Sequence, residues 1–206
     1  MTASKFNQIP SDEIISKTAK ALESHGMSVK IAKNGAEAKS LVLDLLPKGA
    51  EVMDMTSVTL DTIGVSKEIQ ESGVYKSARK ISYSLDQVKQ AKEIHGLRDI
   101  PDWTVGSVHA VTEEGSLMVA SQSGSQLAAY SFGSDHLILV VGAQKIVKNL
   151  DEGFKRLYEH CLVLESERAR KAYGVPASAI NKIFILHEEI KKGRITVILV
   201  KEVLGF

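Results

Sequence analysis

The chain has a single cysteine, Cys161, among its 206 residues. One thiol excludes an internal disulfide and leaves no thiolate set to hold an iron–sulfur cluster. Aromatic residues are scarce at 5%, too few for the stacking platforms that grip single-stranded nucleic acid. Neither sign of charge dominates. Lysine and arginine number 26 against 25 aspartates and glutamates, for a formal net charge of +1. Nothing in that balance draws the chain to nucleic acid or to an anionic membrane. No apolar run approaches the ~20 residues that span a bilayer, so no membrane insertion is expected. The first residues lack the apolar core of a signal peptide. A soluble cytoplasmic protein is the expectation.

Familiar catalytic signatures are also missing. Among the histidines His25, His95, His109, His136, His160 and His187 there is no His-Glu-x-x-His, and no two of them stand at i,i+4 on a helix with a carboxylate. No metal site is expected. Gly-x-Ser-x-Gly is absent, because Gly124 is followed by Ser125, Gln126 and Leu127. There is no Walker loop and no Gly-x-Gly-x-x-Gly, so no bound cofactor is expected either.

What is present is a core. Hydrophobic residues make up 44%, enough for one ordinary domain. Pro10-Ser11-Asp12 opens a helix with Ser11 as its cap. Met27 to Ala32 reads as a strand, Asn34 or Gly35 starts a second helix, and Glu51 to Met55 is a second strand. That rhythm belongs to a mainly parallel sheet covered by helices. Residues 66–101 are helical and strongly charged, a peripheral segment. Val105 to Thr112 and Ser116 to Ala120 read as strands around a Glu-Glu-Gly turn. Leu137 to Val141 is short and wholly apolar, the pattern of a central strand buried on both faces. A long helix runs from Leu150 to about Tyr173, with Phe154, Leu157, Tyr158, Cys161 and Leu162 on one face. Cys161 in that stripe reads as a buried small hydrophobe. Ile183 to Leu186 and Ile195 to Val200 read as a C-terminal antiparallel hairpin around Lys191-Lys-Gly-Arg194. No repeat and no long linker divides residues 1–206, which read as one domain.

Three pieces carry candidate binding chemistry. Thr56, Ser57 and Thr59 follow directly on a strand end, where open α/β sheets bind ligands; the simpler reading, which is the favoured one, is that Thr56 or Ser57 caps the next helix. Ser121, Gln122, Ser123, Gly124, Ser125 and Gln126 form an uncharged polar loop between two core strands. Its backbone N–H groups suit a phosphate or carboxylate, or the loop is a tight turn that needs small residues. Gln144 and Lys145 lie just past the apolar strand, where Lys145 is an anion partner or a solvated lysine. The three pieces are expected to share one crevice for a small anionic metabolite, with Glu113 above the loop. The lone Trp103 is expected to plug a core edge.

Several segments together resemble the LUD-domain family of lactate-utilization proteins. They are Val111-Thr-Glu-Glu-Gly-Ser-Leu117, Ala120-Ser-Gln-Ser-Gly124 continuing through Ala129, Asp135-His136, and Val140-Val-Gly-Ala-Gln-Lys-Ile146. Glu167-Arg-Ala-Arg170, Tyr173-Gly174, Asn181-Lys182, Gly193-Arg-Ile-Thr196, Leu204-Gly-Phe206 and the upstream Ser57 to Gly64 also fit. The resemblance covers most of the chain and is weakest from Ser66 to Pro101. It implies a sheet sandwiched by helices, like the sugar-phosphate isomerase and CoA-transferase group. It also implies an accessory role in oxidising lactate to pyruvate, with the iron–sulfur clusters on partner subunits. Where the family text resembles Ala-Glu-Thr-Gly-Thr, this chain has Thr112-Glu-Glu-Gly-Ser116. Glu113 keeps the family glutamate, while Glu114 replaces a threonine and would alter or crowd a ligand. Two rival readings stand beside this one. In an acyl-CoA transferase-like or cyclo-ligase-like enzyme of the same fold, Glu113 would be nucleophile or general base. In a regulatory small-molecule-binding module there would be no catalysis.

Overall fold

The computed structural model describes residues 5–206. The chain begins with the anticipated alternation of α1 (Asp12–Ser24), β1 (Ser28–Ala32), α2 (Gly35–Leu45) and β2 (Glu51–Asp54). Polar side chains start the helices by taking up free N–H groups. Ser11 Oγ accepts from Ile14 N–H, and Asn34 Oδ1 accepts from Glu37 N–H. Next come α3 (Val58–Thr62), α4 (Val65–Glu71), β3 (Lys76–Ser77), α5 (Ala78–Ser84) and α6 (Ala91–Asp99). The second half holds β4 (Trp103–Gly106), β5 (Ala110–Thr112), β6 (Leu117–Ser121), β7 (His136–Gly142) and β8 (Ile146–Val147). It closes with α7 (Leu150–Arg156), α8 (Leu162–Tyr173), β9 (Lys182–Leu186) and β10 (Ile195–Val200). Among the described residues, no helix is long and apolar enough to cross a membrane.

The main sheet has six parallel strands in the order β1-β10-β7-β4-β2-β3. The strand β7 is central, with β10 on one side and β4 on the other. Its side chains alternate between two cores. Leu137, Leu139 and Val141 pack with Ile15, Ala19 and Leu22 of α1 and with the second sheet. Ile138 and Val140 pack with Ala38 and Val42 of α2, Leu60 of α3, and Val65 and Ile69 of α4. Burial on both faces explains why this stretch has no polar alternation.

A second sheet of four strands runs in the order β8-β5-β6-β9. The hairpin around Glu113-Glu114-Gly115 is present as β5 against β6. The span from Val105 to Thr112 is not one strand, however. It breaks at Ser107 to His109, with β4 in the main sheet and β5 in the second. Tyr130 Oη accepts from Ser107 N–H and donates to Ser107 O, both at 3.1 Å, and Lys145 Nζ takes the Val108 carbonyl. With those backbone groups satisfied elsewhere, the ladder stops. The C-terminal strands also form where expected but do not pair with each other. β9 joins β6, and β10 lies between β1 and β7. Arg194, in the turn between them, is buried and donates to Glu189, Ser134 O and Tyr130 O. That anchoring makes the turn a crossover between sheets.

The long helix passes through a π-helical turn at Leu157–Cys161 between α7 and α8. Its buried face is Gly153, Arg156, Leu157, His160 and Cys161, whereas Phe154 and Tyr158 face outward. A hydrophobic stripe cannot register a buried arginine and histidine, and the expected face is offset for that reason. Trp103 is half-buried and stacks on His136, with ring centroids 4.2 Å apart and planes 17° from parallel.

Candidate functional site

Three neighbouring strands of the main sheet, β7, β4 and β2, end at one cleft of about 320 Å³. The carboxyl ends of parallel strands are the usual ligand position in such sheets. Met55 to Thr59 follow β2, Ser107 to His109 follow β4, and Lys145 follows β7. Ala120 to Gln126 at the end of β6, and Cys161 to Tyr173 of the long helix, supply further wall residues.

Lys145 forms the floor. Its side chain is 1% exposed. Nζ donates to Thr59 Oγ1 at 3.0 Å, to Ser107 Oγ at 3.1 Å and to Val108 O at 3.1 Å. All three acceptors are neutral, and among the described residues no carboxylate lies within ion-pair distance. Burial pushes the ammonium down to about 7, with the positive charge of Arg156 adding to the effect. An uncompensated buried ammonium is stabilised by an incoming anion. Ser107 Oγ is the natural relay, because it accepts from Nζ and commits its own hydrogen only to long bonds that a ligand oxygen can replace. Its intramolecular acceptors, Thr59 Oγ1 and Val108 O, both lie at 3.4 Å.

Arg156 is a second buried cation with no carboxylate paired to it among the described residues. Its Nε donates to His109 O at 2.8 Å and Nη1 to Phe6 O at 3.0 Å, while Nη2 has no partner among the described residues. Arg156 and Lys145 both act on His109, whose imidazole burial drives down to about 3. His109 is therefore neutral at pH 7. Ala120 N–H donates to His109 Nδ1 at 3.2 Å, which places the ring proton on Nε2.

Four cations (Arg79, Arg98, Lys145 and Arg168) line the cleft against two carboxylates (Asp61 and Glu165). Glu165 is engaged by Arg168 through two 2.7 Å bonds. Arg79 lies 3.8 Å from Asp54 Oδ2. Asp54 is fully buried, and desolvation raises its carboxyl to about 6 against the opposing bond from Gln70.

The residues expected at the site divide as follows. Thr56, Ser57, Ser121, Gln122, Ser123, Ser125, Gln126 and Lys145 line the cleft. Ser57 Oγ also caps α3 by accepting from Leu60 N–H, while Thr56 Oγ1 accepts from Arg79 at 2.8 Å. The serine loop satisfies much of its own hydrogen bonding. Gly124 N–H donates to Ser121 Oγ, Ser125 N–H to Ser123 Oγ, and Leu127 N–H to Gly124 O. Gly124 turns the loop with φ at 90° against Lys182 and is not on the cleft wall. Gln144 is buried behind the cleft, donating to Leu204 O and Gly205 O. Glu113 is not on the wall. Its carboxylate pairs with Lys17 of α1 at 2.9 Å, and its N–H is held by Val147 O.

Sequence reading passed over Ser107, His109, Tyr130, Arg79 and Arg98. Ser107 and His109 sit inside an apparent strand, and the arginines lie on helices that read as peripheral. Gly106 was a usable signal. A Cβ there would collide with Tyr130 Oη, so the backbone must be bare where the tyrosine approaches.

Residues 15–200 match the family model for the LUD domain. No curated protein matches the chain. The fold is similar to the crystal structure of a DUF162 family protein from Deinococcus radiodurans. The two share 16% identity, with a TM-score of 0.57 over 93% of this chain and 99% of the other. The chain belongs to the LUD-domain family.

Proposed function

We propose that this protein binds a small anionic metabolite in the cleft above Lys145, and that it serves lactate utilization in the cytoplasm as an accessory subunit without iron–sulfur clusters. The observation that carries the reading is the floor of the cleft. A buried ammonium there meets only neutral oxygens. A carboxylate of lactate or pyruvate would accept from the Ser107 hydroxyl and lie in the field of Lys145 and Arg156. Family membership supports the lactate-utilization setting. One cysteine leaves the electron-transfer clusters to partner subunits.

The binding reading is favoured over a carboxylate-nucleophile enzyme because the proposed nucleophile, Glu113, is paired with Lys17 away from the cleft. Two assays test the proposal. In calorimetric titration, pyruvate or L-lactate should bind the purified chain. In a dye-reduction assay, the chain alone should not oxidise lactate. Lactate-dependent dye reduction by the isolated chain, or no heat with either acid, would contradict it.

A further inference from the structure

The mouth of the cleft carries positive charge that a three-carbon acid on the floor would not reach. Arg79 and Arg98, from α5 and α6, flank one aromatic ring. Their guanidinium carbons lie 5.8 and 5.1 Å from the centroid of Tyr83. The ring face attracts a guanidinium at these distances without consuming its N–H donors. Arg98 donates only Nε, to Ser82 Oγ at 3.3 Å, and among the described residues neither Nη has a partner. Arg79 uses Nη1 on Asp54 O and Nη2 on Thr56 Oγ1. Thr56 Oγ1, as an acceptor, keeps its hydrogen for a ligand. No carboxylate pairs with Arg98 among the described residues, and Asp54 stands 3.8 Å from Arg79.

Floor and mouth are tied together by a short piece of chain. Thr59 binds Lys145, and Thr56 binds Arg79. Their Cα atoms, three residues apart, are separated by at most roughly 11 Å. A cleft of about 320 Å³ is at the scale of sites that hold ligands larger than a three-carbon acid (~300 Å³ upward).

We propose that Arg79, Arg98 and Thr56 form a second anion subsite that takes a phosphoryl group, so that the ligand is a small carboxylic acid carrying a phosphate. This rests on the reading of the floor as the carboxylate subsite. The unpartnered Nη groups of Arg98, with Arg79 Nε and the Thr56 hydroxyl, match the three oxygens and double charge of a phosphate better than a second carboxylate.

The test is calorimetric titration of the full chain and of Arg98→Gln with D-glycerate, 3-phospho-D-glycerate and inorganic phosphate. A thermal melt confirms that the variant folds. The expected result is that the phosphorylated acid binds about tenfold or more tightly than glycerate, and also more tightly than inorganic phosphate. In Arg98→Gln the ratio of the two acid affinities should fall to about threefold or less. Equal affinity for the two acids, or a ratio that survives Arg98→Gln, overturns the phosphoryl subsite and leaves the floor reading standing. Inorganic phosphate binding as tightly as the phosphorylated acid overturns the two-headed ligand. No binding of either acid overturns the subsite together with the floor reading.

Discussion

Lys145 Nζ sits 3.0 Å from Thr59 Oγ1, a contact between residues 86 positions apart in the chain. It joins the carboxyl end of β7 to the first turn of α3 and fixes the ammonium in a buried position. Burial lowers this lysine from 10.5 to about 7 in the folded protein, whereas unfolding returns it to water. Between those values the unfolded chain binds the extra proton, so this group makes stability rise with pH. Below pH 7 both states carry the proton and the burial penalty is fully felt. Lys145→Met removes the group. The stability of wild type relative to Lys145→Met should therefore increase from pH 7 to pH 9, approaching about 1.4 kcal/mol per pH unit. Urea denaturation of both proteins at the two pH values measures it. A pH-independent difference would show that Lys145 titrates normally.

Gly106 and Tyr130 should be energetically coupled, since a Cβ at position 106 would collide with the tyrosine hydroxyl. Gly106→Ala is expected to destabilise the protein by about 1–3 kcal/mol, the usual scale for overpacking. In the Tyr130→Phe background the same substitution should cost less, with a coupling of at least roughly 0.5 kcal/mol. A thermodynamic cycle by urea denaturation gives the value. Strict additivity would mean that the glycine is required for some other reason.

Val140 is fully buried on the α2–α4 face of the central strand. Val140→Asp places an unpaired carboxylate in that core and should cost several kcal/mol, about 3–5. Thermal denaturation of the variant checks this. A melting temperature equal to wild type would contradict the two-faced burial of β7.

The parts of the fold legible in the sequence were those where one physical demand acts alone. Leu137 to Val141 is apolar throughout because both faces are covered, and that pattern has few other readings. Lys145 was legible by position, three residues past Gly142, the end of a strand of that kind. The break at Ser107 was not legible. The local pattern favours strand, and what stops the ladder is Tyr130, far along the chain. Arg156 was hidden for the opposite reason, since it is a charged residue on the buried face of its helix. The pairing of β9 and β10 misled because Lys191-Lys-Gly-Arg194 has turn chemistry, while the choice of sheet is made by the buried anchoring of Arg194. Arg79, Arg98 and Tyr83 come from the charged segment that reads as periphery. Only the tertiary arrangement brings them to the mouth of the cleft.

The most direct measurement is a calorimetric titration of pyruvate into wild type and Lys145→Met at pH 6.5, where the lysine is charged. A matched urea denaturation shows that both are folded. Loss of a charge-assisted interaction worth about 1.5–3 kcal/mol should weaken binding by roughly 10- to 150-fold in the variant. Raising the pH to 8.5 should weaken binding to wild type, because the neutral amine must regain a proton to hold the anion, and should leave the variant unchanged. Equal affinity in the two folded proteins would contradict an anion site above Lys145.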